Sequence, residues 1–256
     1  MKDRFVLEPL EVGKFPSFPL SKFLLGDKSE QSLPAPCISW FGRSLSSDIR
    51  VLVDTGPAKQ TPETSKLHQI LEAGDAYRID RVLRTHGIEP SEITHVIFTH
   101  LHFDHCSYAQ YLPNAKIYVQ KSELQYAVAP DDNSTGYETG KPGIIPSWMS
   151  SFDKMVPITG DFEIAPGLRI LALPGHTIGS LGVIFETNSG RYAVAGDLIN
   201  QVDNWEGNRG SHIPPTANIS VDLCNQSFKR LEKESDKVLA SHDYRMFDYT
   251  RYGDAL

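Results

Sequence analysis

Short apolar runs rich in β-branched residues punctuate the chain, and five of them stop at a turn signal or at a polar residue able to do chemistry. Residues 49–53 run into Asp54-Thr55-Gly56, 95–99 into His100, 168–173 into Pro174-Gly175-His176, 192–195 into Gly196-Asp197, and 238–241 into His242. Between them, apolar positions at helical spacing predict helices over 63–71, 77–86, 121–128 and 220–233. Strand and helix alternate, which predicts an α/β fold. Ligand-bearing residues at the ends of several strands suit a layered sheet, which holds the roots of variable loops still. Residues 129–151, rich in Asp, Gly, Pro and Ser, lack clear periodicity; they predict either a flap over those strand ends or an inert surface insertion. No repeat, low-complexity tract or linker divides the chain, so residues 1–256 read as a single domain.

Composition narrows the chemistry. With 256 residues and 40% apolar content the chain can bury a full core. Cys37, Cys106 and Cys224 are odd in number and unrelated in spacing, which suits a reducing compartment, the cytosol by default. Glu8, Glu11 and the prolines up to Pro19 leave no apolar stretch near the N-terminus long enough for a signal peptide or a membrane span. A net charge of -7 without a Lys/Arg cluster argues against nucleic acid as the main partner, and the lack of a long apolar stretch against a membrane. A small-molecule substrate is the better expectation; nothing in the sequence bears on oligomeric state.

The densest chemistry is Phe98-Thr99-His100-Leu101-His102-Phe103-Asp104-His105-Cys106. His-x-His puts two imidazoles on one side of an extended segment, where both can grip one ion, and Asp104 and His105 continue round the turn toward a second position. Each ion takes four or five ligands, and His176, Asp197 and His242, each following an apolar strand, supply the shortfall. Taken singly, those three read as turn, cap or surface residues; the four-residue cluster gives them weight as a set.

His100-Leu101-His102-Phe103-Asp104-His105, Pro174-Gly175-His176-Thr177, Gly196-Asp197 and Ser241-His242 resemble the metallo-β-lactamase superfamily, and Val53-Asp54-Thr55-Gly56 matches its first motif; the likeness spans about residues 35–245. The resemblance implies an αββα sandwich, two β-sheets face to face with helices outside, carrying a dinuclear metal centre at one edge. It implies that His100, His102 and His176 bind one metal, that Asp104, His105 and His242 bind the other, that Asp197 bridges, and that Asp54 orients a ligand from behind. Two divalent ions are implied, zinc foremost, although manganese, iron and cobalt accept the same donors. They would hold a bridging hydroxide that attacks an ester-like carbonyl, with Asp104 or the second metal helping the leaving oxygen depart. Motif order, length and Phe103 are most similar to the N-acyl homoserine lactonase group. Those lactonases carry a tyrosine three positions after the bridging aspartate, whereas this chain has Asn200, a shorter donor without an acidic proton. The likeness therefore implies opening of a lactone without naming the homoserine lactone, with a cyclic amide or a glyoxalase II-like thioester as the alternative substrate.

Phe103, Asn200, Trp205, His212 and Tyr244 are the candidate substrate contacts, Trp205 and Tyr244 being equally readable as packed aromatics and His212 as a surface residue. Cys106 reads as a small packed side chain, and His68, His86 and His95 as structural. A glyoxalase II-type enzyme would want a basic pocket, a β-lactamase a secretory leader, and an RNA-processing nuclease basic arms. A binding module that had lost activity would have lost a ligand.

Overall fold

In the computed structural model, which describes residues 3–132, 134–208 and 210–254, two sheets stack face to face. The first runs β1 (Phe5–Pro19), β2 (Ser32–Ser44), β3 (Arg50–Val53), β4 (His95–Ile97), β5 (Lys116–Gln120) and β6 (Met155–Ile158) in chain order. The second is ordered β11 (Lys237–Leu239), β10 (Gly190–Val194), β9 (Leu181–Thr187), β8 (Leu168–Ala172) and β7 (Phe162–Ala165). Strands β3 to β6 are parallel, β1 to β3 antiparallel, and β10 pairs with β11 in parallel.

Alternation along the strands builds the layers. Val51 and Val53 turn into one buried cluster with Phe185, Ile184 and Val183 of the second sheet, while Leu52 turns into another with Ile79 and Leu83. Those two come from the helix α3, introduced after α1 (Leu20–Phe23) and α2 (Thr64–Leu67), and covering Ile79–Thr85. The helix α4 (Lys121–Val128) packs Ala127 into the same cluster as α3; on the other face α5 (Val202–Glu206) precedes α6 (Val221–Glu234), which buries Cys224, Phe228 and Leu231 at the spacing of one helical face. The Ser220 hydroxyl accepts from the Leu223 amide and starts α6. The result is the αββα sandwich the resemblance implied, with one apolar core shared by both sheets.

The topology explains why the polar ends gather. In the second sheet β8, β10 and β11 run the same way, because β9 is antiparallel to both β8 and β10. His176, Asp197 and His242 therefore follow carboxyl ends on one edge, and Asp54 and His100 follow the carboxyl ends of the parallel pair β3 and β4.

Several elements differ from the sequence expectation. The helix expected over 63–71 is a single turn, Thr64–Leu67, with no buried residue, so no apolar face extends it. The long hairpin β1–β2 and the strands β5, β6, β7 and β9 were not anticipated. In β1, register shifts between Glu11 and Gly13 and between Phe15 and Phe18 break the two-residue period that would reveal it. Within 129–151, where Asn133 lies outside the described residues, helical turns over Ser147–Lys154 close the segment. No helix among the described residues is long and apolar enough to cross a membrane.

Phe185 is fully buried, meets Phe5 edge-on at 5.5 Å and lies over Gly42, linking the two sheets. Phe185→Ala is expected to lower stability by about 3–5 kcal/mol in equilibrium denaturation; an unchanged midpoint would mean the sheets are not held through this contact.

Candidate metal centre

The turn after β4 and the loops after β8, β10 and β11 bring His100, His102, Asp104, His105, His176, Asp197 and His242 to one end of a cleft of about 550 Å³. Ligand atoms of His100, His102 and His176 lie within 4.8 Å of one another, as do those of His100, His105 and Asp197. His176 Nε2 is 3.2 Å from His100 Nε2 and 3.0 Å from His102 Nδ1. Asp197 stands between two groups: its Oδ1 is 3.2 Å from both His105 Nε2 and His242 Nε2, and its Oδ2 is 3.7 Å from His176 Nε2. Asp104 spans the second group, with Oδ1 3.7 Å from His105 Nε2 and Oδ2 3.8 Å from His242 Nε2.

Backbone and side-chain acceptors set which ring nitrogens face inward. A carbonyl can only accept, so His176 Nδ1–H donates to Ala217 O at 2.6 Å and His242 Nδ1–H to Pro36 O at 2.8 Å; in the neutral ring of each, Nε2 then carries the lone pair. His105 Nδ1 donates to Asp54 Oδ2 at 2.8 Å. Asp54 also takes the Thr99 amide and hydroxyl, both at 2.7 Å, and His100 Nδ1 donates to that hydroxyl at 3.0 Å. One carboxylate thus orients two of the inward-facing histidines. Asp54 does so with a φ of 62°, the left-handed region that a short polar side chain tolerates when its hydrogen bonds fix it.

The electrostatics separate the cluster into two halves. Burial, together with the neighbouring imidazoles, pushes His100 and His102 well below the usual histidine range, so both are neutral. Burial acts the same way on His105 and His242, but the carboxylates of Asp197 and Asp104 outweigh it and raise both. Asp197 is held well below its usual range: burial opposes this, and His105 and His242 overcome it.

Do these residues fit a metal? Nε2 of His105 is buried and makes no hydrogen bond, although Asp197 Oδ1 is only 3.2 Å away. With their Nδ1 protons committed elsewhere, His100 and His176 point lone pairs at each other across 3.2 Å. Lone pairs so placed repel unless they share a cation, and neutral imidazole with carboxylate is a donor set that divalent ions accept. The residues fit.

Glu123 is a residue that sequence reasoning missed. It lies on α4, is fully buried, and accepts from Leu101 N at 2.9 Å, Tyr137 OH at 2.6 Å, Thr177 Oγ1 at 2.7 Å and Gly179 N at 3.1 Å. It thereby ties the turn after β4 to the turn after His176. A glutamate in the first turn of a helix gives no hint of this, because its four donors come from distant segments.

Of the candidate substrate contacts, Phe103 and Asn200 line the cleft, and Asn200 Nδ2 donates to Asp197 O at 3.0 Å. Trp205, His212 and Tyr244 do not line it. The chain leaves Asp197 through α5, which turns Trp205 toward α6, where it stacks on His212 at 4.3 Å. His212 packs on Phe228 and meets Glu232 at 3.1 Å. Tyr244 opens a short helical turn begun by Asp243 and faces Glu11; burial, and then Glu11, push its hydroxyl up to about 12. In their place the N-terminal hairpin and α1 supply Phe15, Phe18 and Phe23, with Phe23 stacked on His242 at 5.6 Å. His68, read as structural, also lines the cleft and stacks on Phe103 at 3.5 Å. The 129–151 segment reaches the site: Gly136 lies so flat on His102 that an added Cβ would come within 2.4 Å of the ring.

The family described as the metallo-β-lactamase superfamily matches residues 41–249. An N-acyl homoserine lactonase of a Bacillus species is 30% identical over 206 residues, covering 75% of this chain and 76% of that protein. Among solved structures, an N-acyl homoserine lactone hydrolase with N-hexanoyl-L-homoserine at its catalytic metal centre superposes with a TM-score of 0.74 at 22% identity, covering 97% of this chain and 96% of the other. AidC, a dizinc quorum-quenching lactonase, gives 0.69 at 17% identity, with 95% and 89% covered.

Glu123→Gln replaces one acceptor oxygen by a donor facing donors. It is expected to cost about 2–4 kcal/mol in denaturant unfolding, and full retention of stability would show that these turns are held by other contacts.

Proposed function

This chain belongs to the metallo-β-lactamase superfamily, and from that premise we propose that it is a dinuclear metal-dependent hydrolase that opens a lactone ring. The observation that carries the reading is Asp197, whose two oxygens face two separate histidine groups at the end of the cleft. In this reading His100, His102 and His176 hold one ion, Asp104, His105 and His242 the other, and Asp197 joins them. Two zinc ions so held would supply a hydroxide near neutral pH and polarise the carbonyl it attacks.

The protein's own groups would do the rest. Asp54 and the carbonyls of Pro36 and Ala217 hold ring orientations before substrate arrives. Phe15, Phe18, Phe23 and Phe103 wall the cleft with apolar surface, suited to an acyl or aryl substituent and to excluding water. Asp104 lines the cleft beside His105 and His242, where its carboxylate could take up the proton that the attacking water releases and pass it to the departing ring oxygen. Asn200 has one amide hydrogen beyond its bond to Asp197 O and can donate it to the ring carbonyl.

The lactonase relative supports a cyclic ester as the scissile group. Asparagine at the position where those lactonases carry tyrosine leaves the ring substituent open, and cyclic amides and thioesters are the alternatives a substrate screen separates. Residues 1–256 are taken as one hydrolase domain acting on a small molecule, with neither nucleic acid nor membrane as partner. The three free cysteines support a cytosolic setting.

Purified protein grown with zinc is expected to carry about two zinc ions per chain by elemental analysis, and to turn over lactones faster than cyclic amides, thioesters or β-lactams. Asp197→Ala should lower lactone hydrolysis by at least about 100-fold with an unchanged circular dichroism spectrum. Protein without metal, or turnover surviving that substitution, would overturn the reading.

A further inference from the structure

A third group of donor atoms lies beside the seven side chains already described. Cys37 Sγ, a carboxylate oxygen of Asp104 and a ring nitrogen of His242 lie within 4.8 Å of one another. Cys37 stands on β2 opposite Gly13 of β1, next to the register shift between Glu11 and Gly13, and is 1% exposed. Its sulfur makes no hydrogen bond among the described residues.

The backbone on either side of Cys37 is clamped to the loop that carries His242. Pro36 O accepts from His242 Nδ1 at 2.8 Å, and the Ile38 amide donates to Ser241 O at 3.1 Å. The same peptide segment that turns His242 Nε2 inward therefore pins the Cys37 side chain beside it. A second observation points to a ligand in this corner: the buried Nε2 of His105 lacks a hydrogen bond and faces Asp104 Oδ1 at 3.7 Å and Asp197 Oδ1 at 3.2 Å. The Cys37 thiol, the Asp104 carboxylate and the His242 ring nitrogen, gathered beside the buried His105 Nε2 that lacks a hydrogen bond, are the donors of a borderline-soft divalent ion.

We infer that Cys37 supplies a sulfur donor to the ion held by Asp104, His105 and His242, making the two metal positions chemically unequal. The inference rests on the dinuclear reading above and adds a ligand from β2, a strand that carries none of the other seven. On binding, the ion takes the sulfur's electron pair and the thiol proton leaves to solvent. The first position, lined by His100, His102 and His176, has nitrogen donors and the shared carboxylate only. The second then favours thiophilic ions over oxygen-seeking ones. The competing view is that Cys37 is merely packed, since it also belongs to the apolar cluster with Val12 and Phe41.

Cobalt(II) loading of the full chain separates the two. The loaded protein is expected to show a sulfur-to-cobalt charge-transfer absorption in the near ultraviolet. Cys37→Ser should abolish it while retaining two cobalt ions per chain, and Cys224→Ser, on α6 against Gly175 and outside this donor group, should leave it intact. Zinc X-ray absorption of the unaltered protein should contain a Zn–S path near about 2.3 Å, a readout that stands if the Cys37 variant fails to fold. Two bound ions without a sulfur signal in either measurement would overturn the inference and leave the dinuclear reading standing, as would a charge-transfer band that survives Cys37→Ser. No bound metal at all would overturn both.

Discussion

Five imidazoles and two carboxylates meet in a buried corner of this protein, and their mutual electrostatics are the constraint on which the site depends. Desolvated like groups repel, and an imidazole lone pair facing another at 3.2 Å is tolerable only if positive charge lies between them. Protons can serve in part, as the paired shifts of His105, His242 and Asp197 indicate. They cannot serve His100 and His102, which burial keeps neutral. A pair of divalent ions, as proposed, would satisfy all seven groups at once.

Holding such a cluster open requires a frame that does not relax. The sandwich provides it by directing the carboxyl ends of β3, β4, β8, β10 and β11 to one edge, so that the donors sit in turns and loops rooted in strands that pack into the shared core. Glu123 then braces two of those turns from behind, and Asp54 braces two histidines at the cost of an unusual backbone conformation. These supporting groups touch no substrate, yet the inward orientation of the rings depends on them.

Much of this was legible from the residues alone, because a metal site needs particular donors and strand ends announce where they stand. His100, His102, Asp104, His105, His176, Asp197 and His242 could be grouped by chemistry before any coordinates, and α4 and α6 by their apolar spacing. What stayed hidden has physical reasons. Strand β1 lost its alternation to bulges, so neither the hairpin nor the aromatic wall it carries was visible. Trp205 and Tyr244 were placed near the site by proximity in sequence to Asp197 and His242, whereas a single helical turn rotates each of them away. Glu123 and His68 act through partners fourteen or more residues away in the chain, which no local pattern encodes.

The central claim, that these side chains gather around two cations, is tested most directly by anomalous scattering from crystals grown with zinc, collected on both sides of the zinc absorption edge. The account predicts two strong peaks in the anomalous difference map, one among His100, His102 and His176 and one among Asp104, His105 and His242, with Asp197 reaching both. A map with no peak inside that ring of residues, or with its zinc bound only elsewhere on the molecule, would contradict it.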